Sequence, residues 1–286
     1  MDRFIHNALC AAPATTRIQG MIVRPLNDGR SGAQVFELDH ARVLKLYPAR
    51  GDPSSLQYHR SIRDIVMTTI TPDTISPHVY AYGLTPDLRP FLVMEKIDGV
   101  ELFDYQPSGG VEDMQVLLSV FRALQEFNTS VAHFCHSHRL AVCHPCHRDL
   151  HPHNIFITAT GARFIDFDLA VCPYAALRDS DSPQRQRALR HPWLQWLLGN
   201  YNQSTESYVH WTNAFSTVPA LVREDSDLLQ VYLVCRYFER RNPHLRQLNR
   251  RLEFCDNKSA FVQAAVCELS AMLATLPAST AHSSSA

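Results

Sequence analysis

Residues His147-Arg148-Asp149-Leu150-His151-Pro152-His153-Asn154 form a polar run that ends in two short apolar segments, Ile155 onward and up to Ile165, on either side of Ala159-Thr160-Gly161. Apolar, turn, apolar is the pattern of a β-hairpin. A hairpin brings the residues at its two open ends side by side. Asn154 and Asp166, twelve positions apart in sequence, would therefore become neighbours, with Asp149 on the loop that leads into the first strand. No other segment of the chain fixes three polar side chains relative to one another so tightly.

Strand-like runs at Gln34 to Leu38, Val43 to Tyr47 and Phe91 to Lys96 carry β-branched and aromatic residues, and the polar stretch Asp52 to Met67 has the helix formers of one helix laid against them. Asp98-Gly99 closes that unit. From Glu112, Met114, Val116, Leu117, Val120, Phe121, Leu124 and Phe127 recur at helical spacing and predict a long helix with one buried stripe. Patterns after Leu189 are helical, and Ser279 to Ala286 is a Ser/Ala-rich tail expected to be disordered. With 286 residues, 45% of them hydrophobic, the chain can fill a sizeable core.

Charge and thiol content narrow the setting. A formal net charge of -1 gives no general attraction for nucleic acid or for an anionic membrane surface, so neither is expected as a partner. The late apolar stretch Ala260 to Leu276 is broken by Gln263 and Glu268, short of a membrane span. Met1 to Thr16 makes a poor secretory leader because His6 and Asn7 interrupt its apolar part. Eight irregularly spaced cysteines suit free thiols in a reducing compartment. The expectation is a cytoplasmic protein, with export as an effector left open.

Transfer of a phosphoryl group to a hydroxyl needs a group to take the proton and metal ions to neutralise the phosphate oxygens. Asp149 can supply the first. Asn154, a neutral oxygen donor, and Asp166, a charged one, suit magnesium, which favours a few hard oxygen ligands. Lys45 lies inside the apolar run Val43-Leu44-Lys45-Leu46-Tyr47 and needs an anionic partner if it is buried. It is one of only three lysines, with Lys96 and Lys258, against 24 arginines.

Taken together, these segments resemble the protein-kinase-like superfamily. Asp149-Leu150-His151-Pro152 with Asn154, followed by Ile165-Asp166-Phe167-Asp168, is similar to the aminoglycoside phosphotransferase and choline kinase-like branch. Arg148 is the residue usual in protein kinases at that place. Gly29-Arg30-Ser31-Gly32-Ala33-Gln34 resembles the loop that covers the ATP phosphates in that branch. By the same resemblance, Lys45 meets the α- and β-phosphates. Phe91 to Lys96 is similar to the strand and hinge that hold adenine, with Glu95 at the hinge and Met94 as its apolar wall.

The resemblance implies an α+β, two-lobed protein-kinase-like fold, with a small antiparallel-sheet N-lobe at 1–97 and a larger helical C-lobe at 98–278. It also implies ATP and Mg2+ as cofactors. The implied catalytic residue is Asp149, with Asn154 and Asp166 on the metal and Gly29, Ser31, Gly32, Ala33, Lys45, Met94 and Glu95 around the nucleotide. The implied activity is ATP-dependent phosphorylation of a hydroxyl on a small molecule. A protein Ser/Thr kinase is an alternative, with a protein substrate, and so is a nucleotide-binding pseudokinase that acts as an interaction module. Such kinases pair the strand lysine with a glutamate on the next helix, yet no Glu lies between Glu37 and Glu95. Asp64 is the best substitute, one methylene shorter.

Three further features have plainer readings. His133, Cys135, His136, His138, Cys143, His144, Cys146 and His147 crowd together, and Cys143 with Cys146 has the gap of a zinc pair. The reading preferred is structural, because a closed zinc site there would distort the loop that carries Asp149. Glu224-Asp225-Ser226-Asp227 precedes a helical run and reads as an N-terminal cap. Trp193, Trp196 and Trp211 read as core.

Overall fold

Period-2 alternation decides how the first sheet is built. In a strand successive side chains point to opposite faces. Leu44 and Leu46 therefore pack with Phe91 and Val93 on one side, while Tyr47 joins Ala33, Ile65 and Leu92 on the other. The structure is a computed structural model, and it describes residues 24–28, 33–48, 56–85, 87, 89–137, 145–170, 225–252 and 255–275. The strands are β1 (Arg24–Asp28), β2 (Gln34–Glu37), β3 (Arg42–Leu46), β4 (Val79–Leu84) and β5 (Pro90–Glu95). They form one antiparallel sheet in the order β1-β2-β3-β5-β4, with Lys45 opposite Val35 on one side and Leu92 on the other.

Helix α1 (Leu56–Ile70) covers the Tyr47 face of this sheet through Ile65 and Val66. It runs three residues past the expected end at Met67. Thr68 and Thr69 each return a hydroxyl hydrogen bond to the carbonyl four residues back, at 2.7 Å, which satisfies their hydroxyls within the helix.

Beyond the short strand β6 (Val100–Glu101), helix α2 (Val111–Ser137) buries Met114, Leu117, Val120, Phe121, Leu124 and Phe127, the stripe the spacing predicts. The hairpin forms as β7 (Ile155–Thr158) and β8 (Gly161–Phe164), with Ile155 opposite Phe164. Gly161 turns it at φ 137°, a conformation that favours glycine. Helix α3 (Ser226–Glu239) is buried continuously from Asp227 to Cys235 and is the central helix of this part of the chain. Helices α4 (Leu245–Leu252) and α5 (Lys258–Thr275) pack around it and α2, with Phe261 of α5 beside Phe121 and Tyr232.

The fold is thus α+β, an antiparallel sheet followed by helices. No helix among the described residues is long and apolar enough to cross a membrane. The three tryptophans, the Ser/Ala-rich tail and the patterns between Leu189 and Arg223 lie outside the described residues.

Candidate active site

The loop before the hairpin is closed by its own polar groups. His151 N–H donates to the Asp149 carbonyl at 2.8 Å, Asn154 N–H to the His151 carbonyl at 2.8 Å, and Asn154 Nδ2 to the Asp149 carbonyl at 2.8 Å. With its amide nitrogen spent on the loop, Asn154 is left with its side-chain oxygen turned elsewhere, where a hard cation can use it. Ile165 N–H donates to the Asn154 carbonyl at 3.0 Å and continues the hairpin ladder by one step. Asn154 and Asp166 therefore sit at the same end of the hairpin, as the spacing predicts. Asp149 is about a third exposed, its Oδ2 3.6 Å from His151 Nε2.

Asp166 adopts the left-handed conformation, φ 63° and ψ 65°. Aspartate tolerates this region better than most residues, but it is held only when the surroundings over-determine it. Here they do. Phe167, fully buried, stacks on Phe127 at 5.7 Å and lies 4.7 Å from the His147 ring. Its N–H donates to Asp64 Oδ1 at 2.8 Å, and Arg63 Nη1 donates to the Asp168 carbonyl at 3.2 Å. Two consecutive residues of α1 thus grip the turn that carries Asp166.

Lys45 joins these parts. Its Nζ lies 2.5 Å from Asp64 Oδ2 and 2.7 Å from Asp166 Oδ1. Burial alone would lower its pKa, yet Asp166 and Asp64 hold it far above the ordinary lysine value, so it is an ammonium at any physiological pH. The shorter carboxylate expected to replace the glutamate reaches the lysine, and the same side chain reaches the Phe167 N–H. Tyr47 donates its hydroxyl to Asp64 Oδ2 at 2.6 Å.

Two carboxylates, Asp64 and Asp166, pair with this ammonium, and the buried Asp168 carboxyl feels the charges of all three. Asp168 is 7% exposed, and its carboxyl is pushed up to about 7 by burial and by the charges of Asp166 and Asp64. Negative charge in excess, a carboxylate one-third exposed at Asp166 and the amide oxygen of Asn154 make a donor set that fits a hard divalent cation.

The segment leading into the loop is anchored from α3. Asp225 is that helix's N-cap, accepting from Asp227 N–H and Leu228 N–H at 2.9 and 3.0 Å. Asp227, fully buried, has a different task from the capping expected of it. Its Oδ2 and Oδ1 accept the N–H groups of His147 and Arg148 at 2.7 and 2.8 Å. Arg148 is held there at φ 70°. Lys258, from α5, places Nζ 3.0 Å from Asp225, 3.3 Å from Asp227 and 3.0 Å from the Pro145 carbonyl. Burial would raise the Asp227 carboxyl, but Lys258 and the two N–H donors hold it below the usual carboxylate value. His147 donates Nε2–H to the Ile165 carbonyl at 2.9 Å, and burial keeps its imidazole neutral.

Cys146, Asp225 and Asp227 offer ligand atoms within 4.8 Å of one another, but the Lys258 ammonium is already paired with both carboxylates. Of the expected histidine and cysteine cluster, His133 and His136 are exposed on α2, while His138, Cys143 and His144 lie outside the described residues.

Other expected nucleotide contacts fare differently. Gly29, Ser31 and Gly32 lie outside the described residues. Ala33 is buried against Tyr47, Ile65 and Leu92, in the sheet core. Met94 packs partly buried on that same cluster. Glu95 has its N–H on the His78 carbonyl at 2.8 Å and its carboxylate in a two-pronged pair with Arg163 of β8, at 2.7 and 2.6 Å. That pair holds the Glu95 carboxyl below its usual pKa and ties the end of β5 to the hairpin. Tyr47, Arg63, Asp227, Lys258 and Arg163 are polar residues of this network whose roles the sequence does not reveal. The one available hint was Lys258, a rare lysine in an arginine-rich chain.

No family model matches the chain. Three solved structures of WbdD align with it. One, described as bound to a kinase inhibitor, is 20% identical over 68% of this chain and 45% of its own length, with a TM-score of 0.36. A second is 18% identical over 73% of this chain and 48% of its own, with a TM-score of 0.37. The third, described as a bifunctional kinase-methyltransferase, is 17% identical over 78% of this chain and 47% of its own, with a TM-score of 0.37. The chain spans about half the length of these proteins.

Proposed function

We propose that the protein is an ATP-dependent phosphotransferase that moves the γ-phosphoryl group to a hydroxyl of a small molecule, as the sequence resemblance to the aminoglycoside phosphotransferase and choline kinase-like branch implies. In this reading the five-stranded sheet with α1 is the nucleotide-binding lobe, ending near Ile97. The helical lobe then carries the catalytic loop and the acceptor site. The observation that supports it most is the position of Lys45, bonded to both Asp64 and Asp166. Residues remote in sequence converge on one point, with the charges and ligand types that phosphoryl transfer requires.

Asp149 is the base that orients and accepts the proton of the acceptor hydroxyl, held by a loop that Asn154 closes from inside. Lys45 binds phosphate oxygens. Asn154 and Asp166 hold magnesium, which when bound neutralises charge on the phosphate oxygens. Asp227 fixes the backbone before Asp149, and Asp64 fixes the turn that bears Asp166. The interaction-module reading rests on the shorter aspartate that stands in for the usual glutamate, and the close Asp64–Lys45 pair weighs against it. Arg148 keeps a protein hydroxyl as the second acceptor class. An ATP-consumption screen over small hydroxyl compounds and protein mixtures, run with wild type and Asp149→Ala, tests the reading. Acceptor-dependent consumption lost in the variant is expected. Consumption that no acceptor stimulates, or that Asp149→Ala retains, would contradict it.

A further inference from the structure

Asp64 Oδ2 takes two donors, Lys45 Nζ at 2.5 Å and the Tyr47 hydroxyl at 2.6 Å, while Oδ1 takes Phe167 N–H at 2.8 Å. We propose that Tyr47 is a positioning residue of this site: its hydroxyl holds the Asp64 carboxylate in the orientation that keeps Phe167, and through it Asp166, in place while Lys45 serves the phosphates. This rests on the phosphotransferase reading above.

The terminal torsion of an aspartate side chain is soft, so one contact to a flexible ammonium does not define where the second oxygen points. Lys45 is a divided donor, shared by Asp64 and Asp166. In the proposed reaction the phosphates make a third claim on it. Tyr47 is different. It stands two residues further along the chain, on the same face as Lys45, with a ring that is 3% exposed and fixed among Ala33, Ile65 and Leu92. Its hydroxyl bonds to Asp64 alone among the described residues. A rigid neutral donor therefore pins Oδ2 whatever Lys45 does, and a pinned Oδ2 fixes Oδ1 on the Phe167 amide. Burial and the Asp64 charge raise the phenol well above its ordinary pKa, so at neutral pH it is protonated and donates.

Tyr47→Phe removes the hydroxyl and keeps the ring. Three quantities test it: the free Mg2+ that gives half-maximal ATP turnover, calorimetric affinity for ATP with Mg2+, and hydrogen exchange at the Phe167 amide without ligand. The Mg2+ midpoint should rise about tenfold and affinity fall by a similar factor, the size expected for one hydrogen bond to a charged group. The Phe167 amide should exchange about tenfold faster. The KM for the acceptor should be unchanged. On an Asp64→Asn background, which leaves the Tyr47 ring in place, Tyr47→Phe should add nothing to the Mg2+ midpoint. An unchanged midpoint and amide in folded Tyr47→Phe would overturn the proposal, and so would an equal shift on the Asp64→Asn background. If Tyr47→Phe folds poorly, faster Phe167 exchange in Asp64→Asn is the required result, and normal protection there overturns the proposal. Wild type that binds no nucleotide would refute the phosphotransferase reading, while the Phe167 amide would still decide what Tyr47 holds.

Discussion

Asp227 Oδ1 accepts the Arg148 N–H at 2.8 Å, so the residue before Asp149 is held by a carboxylate from a helix that begins almost eighty positions later. Its other oxygen takes the His147 N–H. An asparagine there could accept only one of these bonds and would turn an amide donor toward the other N–H. Asp227→Asn is therefore expected to cost roughly 3 kcal/mol of stability at neutral pH, measured by urea unfolding. A loss under about 0.5 kcal/mol, ordinary for a surface site, would show that this anchor contributes little.

The same pair sets a pH dependence. The Asp227 carboxyl is held below its ordinary pKa of 3.8, so its contribution is complete above that value and is lost as pH falls through the lower folded value. Lys258 is raised above its ordinary 10.5, so its contribution is complete below that value and is lost as pH rises beyond it. Wild type should therefore lose stability below about pH 4 more steeply than Asp227→Asn does. Parallel acid profiles for the two proteins would contradict the buried ion pair.

Lys45 and Lys96 make opposite predictions. Lys96 pairs with Glu37 at 2.7 Å while 39% exposed, an interaction worth roughly 0 to 1 kcal/mol. Lys96→Ala should leave turnover near normal. Lys45→Ala, with folding checked by circular dichroism, should lower ATP turnover by orders of magnitude, because it removes the cation proposed to meet the phosphates and shared by Asp64 and Asp166. Equal effects of the two substitutions would remove Lys45 from the phosphate site.

Zinc should be well below one atom per chain in the purified protein, since Lys258 already supplies the positive charge among Cys146, Asp225 and Asp227. Elemental analysis that finds stoichiometric zinc, lost together with folding on chelation, would reverse this reading.

What could be read from the sequence follows the range of the interactions. Asp149, Asn154 and Asp166 are tied by a loop and a hairpin, so their spacing alone brings Asn154 and Asp166 together. Asp64 was legible because a buried strand lysine demands a carboxylate and the following helix offers no glutamate. Tyr47 was not: a tyrosine in an apolar strand carries the same signal whether its hydroxyl meets water or Asp64. Asp227 was read as a cap because the run around it is acidic, yet Asp225 fills that position and only the tertiary fold shows where Asp227 points. Within the five-stranded sheet, the two strands without a sequence signal, β1 and β4, are its edges. Pro25 and Gly83 weaken their patterns, as edge positions permit.

Asp166, with Asn154, is proposed to serve a metal used in phosphoryl transfer. Asp166→Ala removes one carboxylate and leaves the buried Phe167 side chain unchanged in sequence. The decisive measurement is magnesium-dependent ATP turnover by wild type and by Asp166→Ala that is shown to be folded. Wild-type turnover should require Mg2+ and should fall by about a thousandfold or more in the variant, the scale on which direct electrostatic contributions to a transition state act. Near-normal turnover in the folded variant would contradict it.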